Sequence, residues 1–185
     1  MLLENDLLRL DSLHDDQLED LARYVGEEGL WIWWLDTPPN TPERLAAEWR
    51  RARELEAQKI RKPFAIFHKE TGSYIGSTSL WFDTDEAGDV EIGSSWLGLP
   101  FHGTGLNRSA KALLIRHAFE DLGIDRVILQ TDRNNLRSQR AIRKLGAELI
   151  DERSGDKTTW DGRVRDSLYF AITRETARRE GFLGE

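Results

Sequence analysis

Between Val90 and Thr131 the chain runs strand, glycine turn, helix, strand, and that order leaves few folds open. Val90 to Leu97 reads as a strand, and so does Arg126-Val127-Ile128-Leu129-Gln130-Thr131. Arg108 to Leu122 reads as a helix with apolar residues around most of its circumference, among them Ala110, Ala112, Leu113, Leu114, Ile115, Ala118, Phe119 and Leu122. Two strands joined through a helix lie parallel in one sheet, with a right-handed crossover. The first joint is Phe101-His102-Gly103-Thr104-Gly105-Leu106-Asn107. Its glycines allow backbone conformations closed to other residues, and the helix that follows aims its positive dipole end at the same point, so the turn is predicted to hold an anion, with phosphate a good fit.

The remaining elements fit around that unit. Leu7 to Leu10 is a short strand, Asp11-Ser12 caps a helix over His14 to Val25 that buries Leu18, Leu21, Ala22 and Val25, and Thr41-Pro42 opens a second helix running to about Gln58. From Pro63 the period changes. Phe64 to Phe67 and Tyr74 to Phe82 flank a hairpin turn at Lys69 to Ser73, and Val90 to Leu97 extends the antiparallel set. A helix over Leu136 to Leu145 stops at Gly146, with two more strands at about 147 to 154 and 164 to 172. No linker or internal repeat divides the chain. The expectation is one α+β domain over residues 7–175 with a mixed central sheet flanked by helices, and a tail at 176–185.

Composition narrows the function. A net charge of -7 argues against a general nucleic-acid binder and favours cationic partners. Cysteine is absent, which removes disulfides, thiolate metal sites and a cysteine nucleophile. His14, His68 and His117 have no metal-ligand spacing, so no metal is expected. The longest apolar run, Leu30 to Leu35, is too short to span a membrane, and the first residues lack the basic region of a signal peptide; a cytoplasmic location is expected.

The chemistry sits in an ordered set: Glu91 on its strand, the Gly-x-Gly turn, Asn135-Leu136-Arg137-Ser138 opening a helix that ends Arg143-Lys144-Leu145-Gly146-Ala147, and Asp161 to Asp166 near the end. Together these resemble the GNAT acetyltransferase superfamily, most closely its Rim-type ribosomal-protein N-acetyltransferase branch. The resemblance implies an acetyl-CoA site in a cleft where the strands ending at Leu97 and Thr131 splay apart, with the pantetheine arm completing the sheet. Unpaired backbone groups along such a gap can accept an amide-bearing arm as they would a strand.

By the same resemblance, backbone N–H groups of His102, Gly103, Thr104, Gly105, Leu106 and Asn107 hold the pyrophosphate, the His102 imidazole being the less favoured alternative as an aid near the cofactor. Those near Trp96 and Leu97 stabilise the oxyanion, and Trp96 stands beside the cofactor arm. Relatives carry Arg or Gln where this chain has Pro100, which shifts electrostatic duty to Arg108 or Lys111. Asn135 contacts the arm, caps its helix, or does both, and Ser138 lies near the thioester sulfur. Glu91 takes a proton from the acceptor amine, the alternative being a solvent-facing strand glutamate. Ile142 replaces the tyrosine that in many relatives returns a proton to the thiolate.

Arg165 and Asp166 either line the acceptor site or form an ion pair within a strand, the structural pair being favoured. Trp31, Trp33 and Trp34, from a total of seven tryptophans, either pack the N-terminal helices or wall the acceptor pocket, packing being favoured.

The expected activity is direct acetyl transfer to a primary amine without a covalent acetyl-enzyme. Lack of the tyrosine acid favours an α-amine, with a pKa of about 7.7 to 8.0, over a lysine at about 10.4. Protein or peptide N-termini and small amines both fit that description. One rival is a non-catalytic acyl-CoA-binding regulatory module of the same fold. Another is a nucleotide-dependent phosphotransferase, which the missing Gly-Lys-Ser/Thr ending disfavours. Nothing in the sequence fixes the oligomeric state, a homodimer being one option.

Overall fold

The computed structural model describes residues 3–184. Its strands are β1 (Leu3–Glu4), β2 (Leu8–Asp11), β3 (Arg61–His68), β4 (Ser73–Trp81), β5 (Asp89–Leu97), β6 (Arg126–Asp132), β7 (Glu148–Thr158) and β8 (Val164–Thr173). The helices are α1 (Leu18–Ala22), α2 (Pro42–Ala57), α3 (Leu106–Glu120), α4 (Leu136–Arg143) and α5 (Arg174–Arg179). The strands form one sheet in the order β1-β2-β3-β4-β5-β6-β8-β7, so the chain folds as the expected single α+β domain. All neighbours are antiparallel except β5 and β6, the pair joined through α3.

Side chains alternate across β3 and so feed two cores. Phe64 and Ile66 join Ile75, Leu80, Leu114, Phe119 and Phe170 under α3. Ala65, on the other face, meets Leu21, Leu45, Trp49, Trp31 and Trp96 under α1 and α2. Thr41 caps α2 by accepting from the Arg44 N–H at 3.3 Å, with Pro42 in the first turn as the sequence predicts. From Thr176 on the chain carries the end of α5, and Ala177 and Phe182 pack into the larger core.

The sequence predicts no strand at β1 and ends β7 at about residue 154 instead of Thr158, and two helices also differ from expectation. The helix predicted over His14 to Val25 contracts to a 3-10 turn, Asp15–Gln17, followed by the five-residue α1. Gln17 folds back, accepting from the His14 N–H at 3.0 Å and donating to the Ser12 carbonyl at 2.8 Å, while the N–H groups of Arg23 and Tyr24 bond three residues back and tighten the exit. Leu122, predicted as the last residue of its helix, lies beyond α3 and is 40% exposed.

The pairing that positions the site is short. β5 meets β6 only at Asp89–Arg126, Val90–Val127 and Glu91–Ile128, and the first pair is clasped by the Arg126 guanidinium on both Asp89 oxygens at 3.0 and 2.7 Å. Beyond Glu91 the strands part. Ser94 adopts φ 48°, the register of β5 against β4 shifts between Ser77 and Ser79, and β5 follows β4 away from β6. Gly76 permits this close approach, because a Cβ there would lie 2.1 Å from the Trp96 carbonyl oxygen.

Candidate active site

Where β5 and β6 part, a cleft of about 880 Å³ opens, lined from one end by the tryptophan segment and from the other by the glycine turn and α4. Glu91 stands at the last paired position, on its floor. Its Oε2 accepts from Gln130 Nε2 at 2.5 Å, and Gln130 Oε1 accepts in turn from Lys157 Nζ at 2.6 Å and Arg165 Nη2 at 3.2 Å. Burial raises the Glu91 pKa above the ordinary carboxylate value, against the opposing pull of Gln130, Lys157 and Arg165. Glu91 is therefore a half-buried cleft carboxylate and not a solvent-facing strand residue.

The glycine turn follows a 3-10 turn at Leu99–Phe101. Gly103 and Gly105 adopt φ 78° and 90°, and a Cβ at either would meet nothing within 4 Å, so glycine is required here for conformation and not for space. Gly105 is the N-cap of α3, whose first turn, including Leu106 and Asn107, leaves N–H groups without intrahelical acceptors. Thr104 braces the turn by donating its hydroxyl to the Phe101 carbonyl at 2.7 Å.

His102 departs from its expected backbone role. Its N–H is taken by the Leu99 carbonyl at 3.0 Å as the 3-10 turn closes. The imidazole works instead: Nε2 lies 2.9 Å from the Leu97 carbonyl oxygen and Nδ1 lies 2.8 Å from Arg137 Nη1, which fits a neutral ring donating from Nε2 and accepting at Nδ1. Burial, with Arg137 beside it, lowers the His102 pKa and favours that neutral form. Arg137 is thereby held at the rim close to the glycine turn.

Lys111 also turns away from the position expected of it. It falls on the inward face of α3 with Leu114 and Ala118, its Nζ donates to Ser95 Oγ at 3.1 Å, and Ser95 Oγ lies 2.7 Å from Thr78 Oγ1. Burial lowers its pKa to about 8, with Glu91 pulling the other way. Positive charge at the rim comes from Arg108, Arg137, Arg140 and Lys144.

Asn135 caps α4, its Oδ1 accepting from the Ser138 N–H at 3.1 Å, and both residues face the cleft. Trp96 contributes backbone here, since its ring packs 5.2 Å from that of Trp31 in the smaller core. Leu97 is buried with its carbonyl held by His102. Ile142 is 4% exposed and brings no proton donor to the cleft.

The tryptophan segment does both things the sequence allows. Trp31 is core, its Nε1 donating to the Val25 carbonyl at 2.7 Å, whereas Trp33 and Trp34 line the cleft together with Trp81. The turn between β7 and β8 ties the segment down: Arg163 stacks 4.8 Å from the Trp33 ring and donates to the Ile32 carbonyl at 2.8 Å, and Trp160 donates to the Trp31 carbonyl at 3.3 Å. Arg165 and Asp166 do not pair with each other. Arg165 enters the cleft, and Asp166 accepts from the Gly155 N–H at 2.8 Å.

Gln130, Lys157, Ser95 and Trp81 escape sequence reasoning. Gln130 alone leaves a trace, as a polar residue closing the run Val127-Ile128-Leu129. Among the described residues no cluster of His, Asp and Glu could hold a metal ion, and no helix is long and apolar enough to cross a membrane.

Residues 8–148 match the family model of the acetyltransferase (GNAT) domain. No curated protein matches the chain in sequence. A GCN5-related N-acetyltransferase from Brucella melitensis superposes with a TM-score of 0.85 at 23% identity, covering 95% of this chain and 80% of the other. Mycobacterium smegmatis RimJ in complex with CoA-disulfide gives 0.79 at 20% identity over 93% and 87% of the two chains. The ribosomal-protein-S5-alanine acetyltransferase from Vibrio fischeri gives 0.77 at 18% identity over 95% and 97%. At these identities the likeness is one of fold.

Proposed function

Because the chain belongs to the acetyltransferase (GNAT) family, we propose that it transfers acetyl from acetyl-CoA to a primary amine by direct attack. The observation that carries this reading is the parting of β5 and β6 at Glu91, beside a glycine turn that opens onto the N-terminus of α3. The N–H groups of Gly103 to Asn107 would take the pyrophosphate, with Arg108, Arg137 and Arg140 supplying charge at the rim. Unpaired backbone groups of β5 beyond Glu91 would bind the pantetheine amides and the thioester carbonyl.

In the transfer, the amine nitrogen attacks the thioester carbon, a C–N bond forms and the C–S bond breaks. The amine proton passes to Glu91, and sulfur leaves with its electron pair. Oε1 of Glu91 is the oxygen available for that proton, since Oε2 is held by Gln130. With Ile142 where a proton donor could stand, the thiolate leaves unassisted or with the Ser138 hydroxyl nearby, which a thiol pKa of about 8.5 permits near neutral pH.

Release of CoA from acetyl-CoA in the presence of a panel of amines tests the reading. Glu91→Gln is expected to lower kcat by about 10²- to 10⁴-fold with CoA affinity retained. The wild-type rate should also fall as pH drops through a Glu91 pKa raised above 4.5. An unchanged rate in Glu91→Gln would remove Glu91 from the mechanism. The apolar Ile142 favours one second reading, a non-catalytic acyl-CoA-binding module; tight CoA binding with no amine consumed would establish it.

A further inference from the structure

Proton removal from an amine calls for one base, yet the floor of the cleft gathers three cations around Glu91. Lys111 and Lys157 both feel its charge, as does Arg165. Arg165 is 5% exposed, lines the cleft, and is poorly matched by its own protein. Its Nη2 donates to the neutral Gln130 carboxamide at 3.2 Å, and its Nε is buried with no hydrogen-bond partner. A desolvated guanidinium with one neutral partner is costly, and a carboxylate is the group that satisfies it best. Nearby acids are engaged elsewhere: Asp132 faces Arg163 at 3.4 Å, and Asp156 accepts from the Tyr169 hydroxyl at 3.0 Å.

Gln130 sets the spacing. Its amide nitrogen bonds Glu91, and its amide oxygen bonds Lys157 and Arg165, so the base and the two cations stand on opposite sides of a single carboxamide. An α-amino acid lying alongside that carboxamide, with one hydrogen bond at its amine to the free Oε1 of Glu91 and another at its carboxylate, spans a gap of the same order. We infer that the acceptor is a free α-amino acid, with Lys157 and Arg165 taking its carboxylate while Glu91 takes the amine proton. This rests on the transfer reaction given above, whose bond changes are unaltered. A peptide N-terminus, whose first carboxyl is an amide, offers nothing for Arg165.

The test offers the wild-type protein acetyl-CoA with leucine and phenylalanine, each beside its α-amide and beside a tripeptide beginning with the same residue. The free acids are expected to exceed the amides and peptides at least about tenfold in kcat/KM. Arg165→Gln and Lys157→Gln should each raise KM for the acid by on the order of tenfold or more and bring the acid-to-amide ratio toward one. Calorimetry with N-acetylleucine and N-acetylleucinamide in the presence of CoA gives a second readout that needs no turnover and no substitution, and the acid should bind more tightly. Equal handling of acid and amide, or preference for the peptide, would overturn the inference and leave the transfer reaction standing. If no amine is consumed, the transfer reading fails, and calorimetry still decides: tighter binding of the acid supports the carboxylate site, whereas equal or absent binding removes it.

Discussion

At the scale of single residues, Lys111 shows what the cleft costs. Its folded pKa of about 8 lies below the ordinary 10.5, so from pH 8 to 10.5 the unfolded chain binds more protons and stability rises with pH. Below pH 8 the lysine is charged in both states, and the folded protein bears the full penalty of desolvation, at most about 3 kcal/mol. Lys111→Met is therefore expected to stabilise the protein at pH 7 and to flatten the gain between pH 8 and 10.5, as measured by urea unfolding at several pH values. A variant less stable at pH 7 with an unchanged slope would contradict this. The residues that could be read in advance were those with local signals, namely Gly103 and Gly105 in their turn and Asn135 ahead of its helix. Lys111 was legible as a helix lysine but not as an inward one, because the face a helix buries is set by its seating on the sheet. Lys157 and Gln130 meet only after β7 and β8 have paired, and no nearby residue announces it.

At the scale of elements, the parallel pair and its crossover helix followed from the order of strand, turn, helix and strand. The bulge that opens the cleft did not. Ser94 at φ 48° has no signature in Gly93-Ser94-Ser95, and the bend coincides with the register shift of β5 against β4, which depends on strand pairing. Gly76 is the partner that allows it. Gly76→Ala would place a Cβ 2.1 Å from the Trp96 carbonyl oxygen and 2.9 Å from Leu97 Cα, contacts with backbone that cannot swing aside. The expected cost is about 1–3 kcal/mol or more in urea unfolding, with weakened CoA binding because the cleft edge of β5 moves. Gly26→Ala, with nothing within 4 Å of its Cβ, is the matched control. Equal stability of the two variants would show that β5 does not depend on this approach. The predicted first helix shortened for a local reason, the fold-back of Gln17 onto His14 and Ser12, while the Asp20 carboxylate, accepting the Tyr74 N–H at 3.0 Å, binds the segment to β4.

At the scale of the whole molecule, the sheet has two halves joined by three residue pairs and the Arg126–Asp89 clasp, and the cleft is the gap left where they stop pairing. The chain carries a net charge of -7, yet Arg108, Arg137, Arg140 and Lys144 line one end of the gap, so an anionic cofactor would meet a local field opposite to that of the whole. The proposed binding mode has CoA completing the sheet between β5 and β6 with its pyrophosphate on the glycine turn. Amide hydrogen exchange with and without CoA tests this most directly. Slowed exchange is expected in Ile92 to Leu97 and in Gly103 to Asn107, with β1 and β2 unchanged; CoA binding without protection of those two segments would rule this binding mode out.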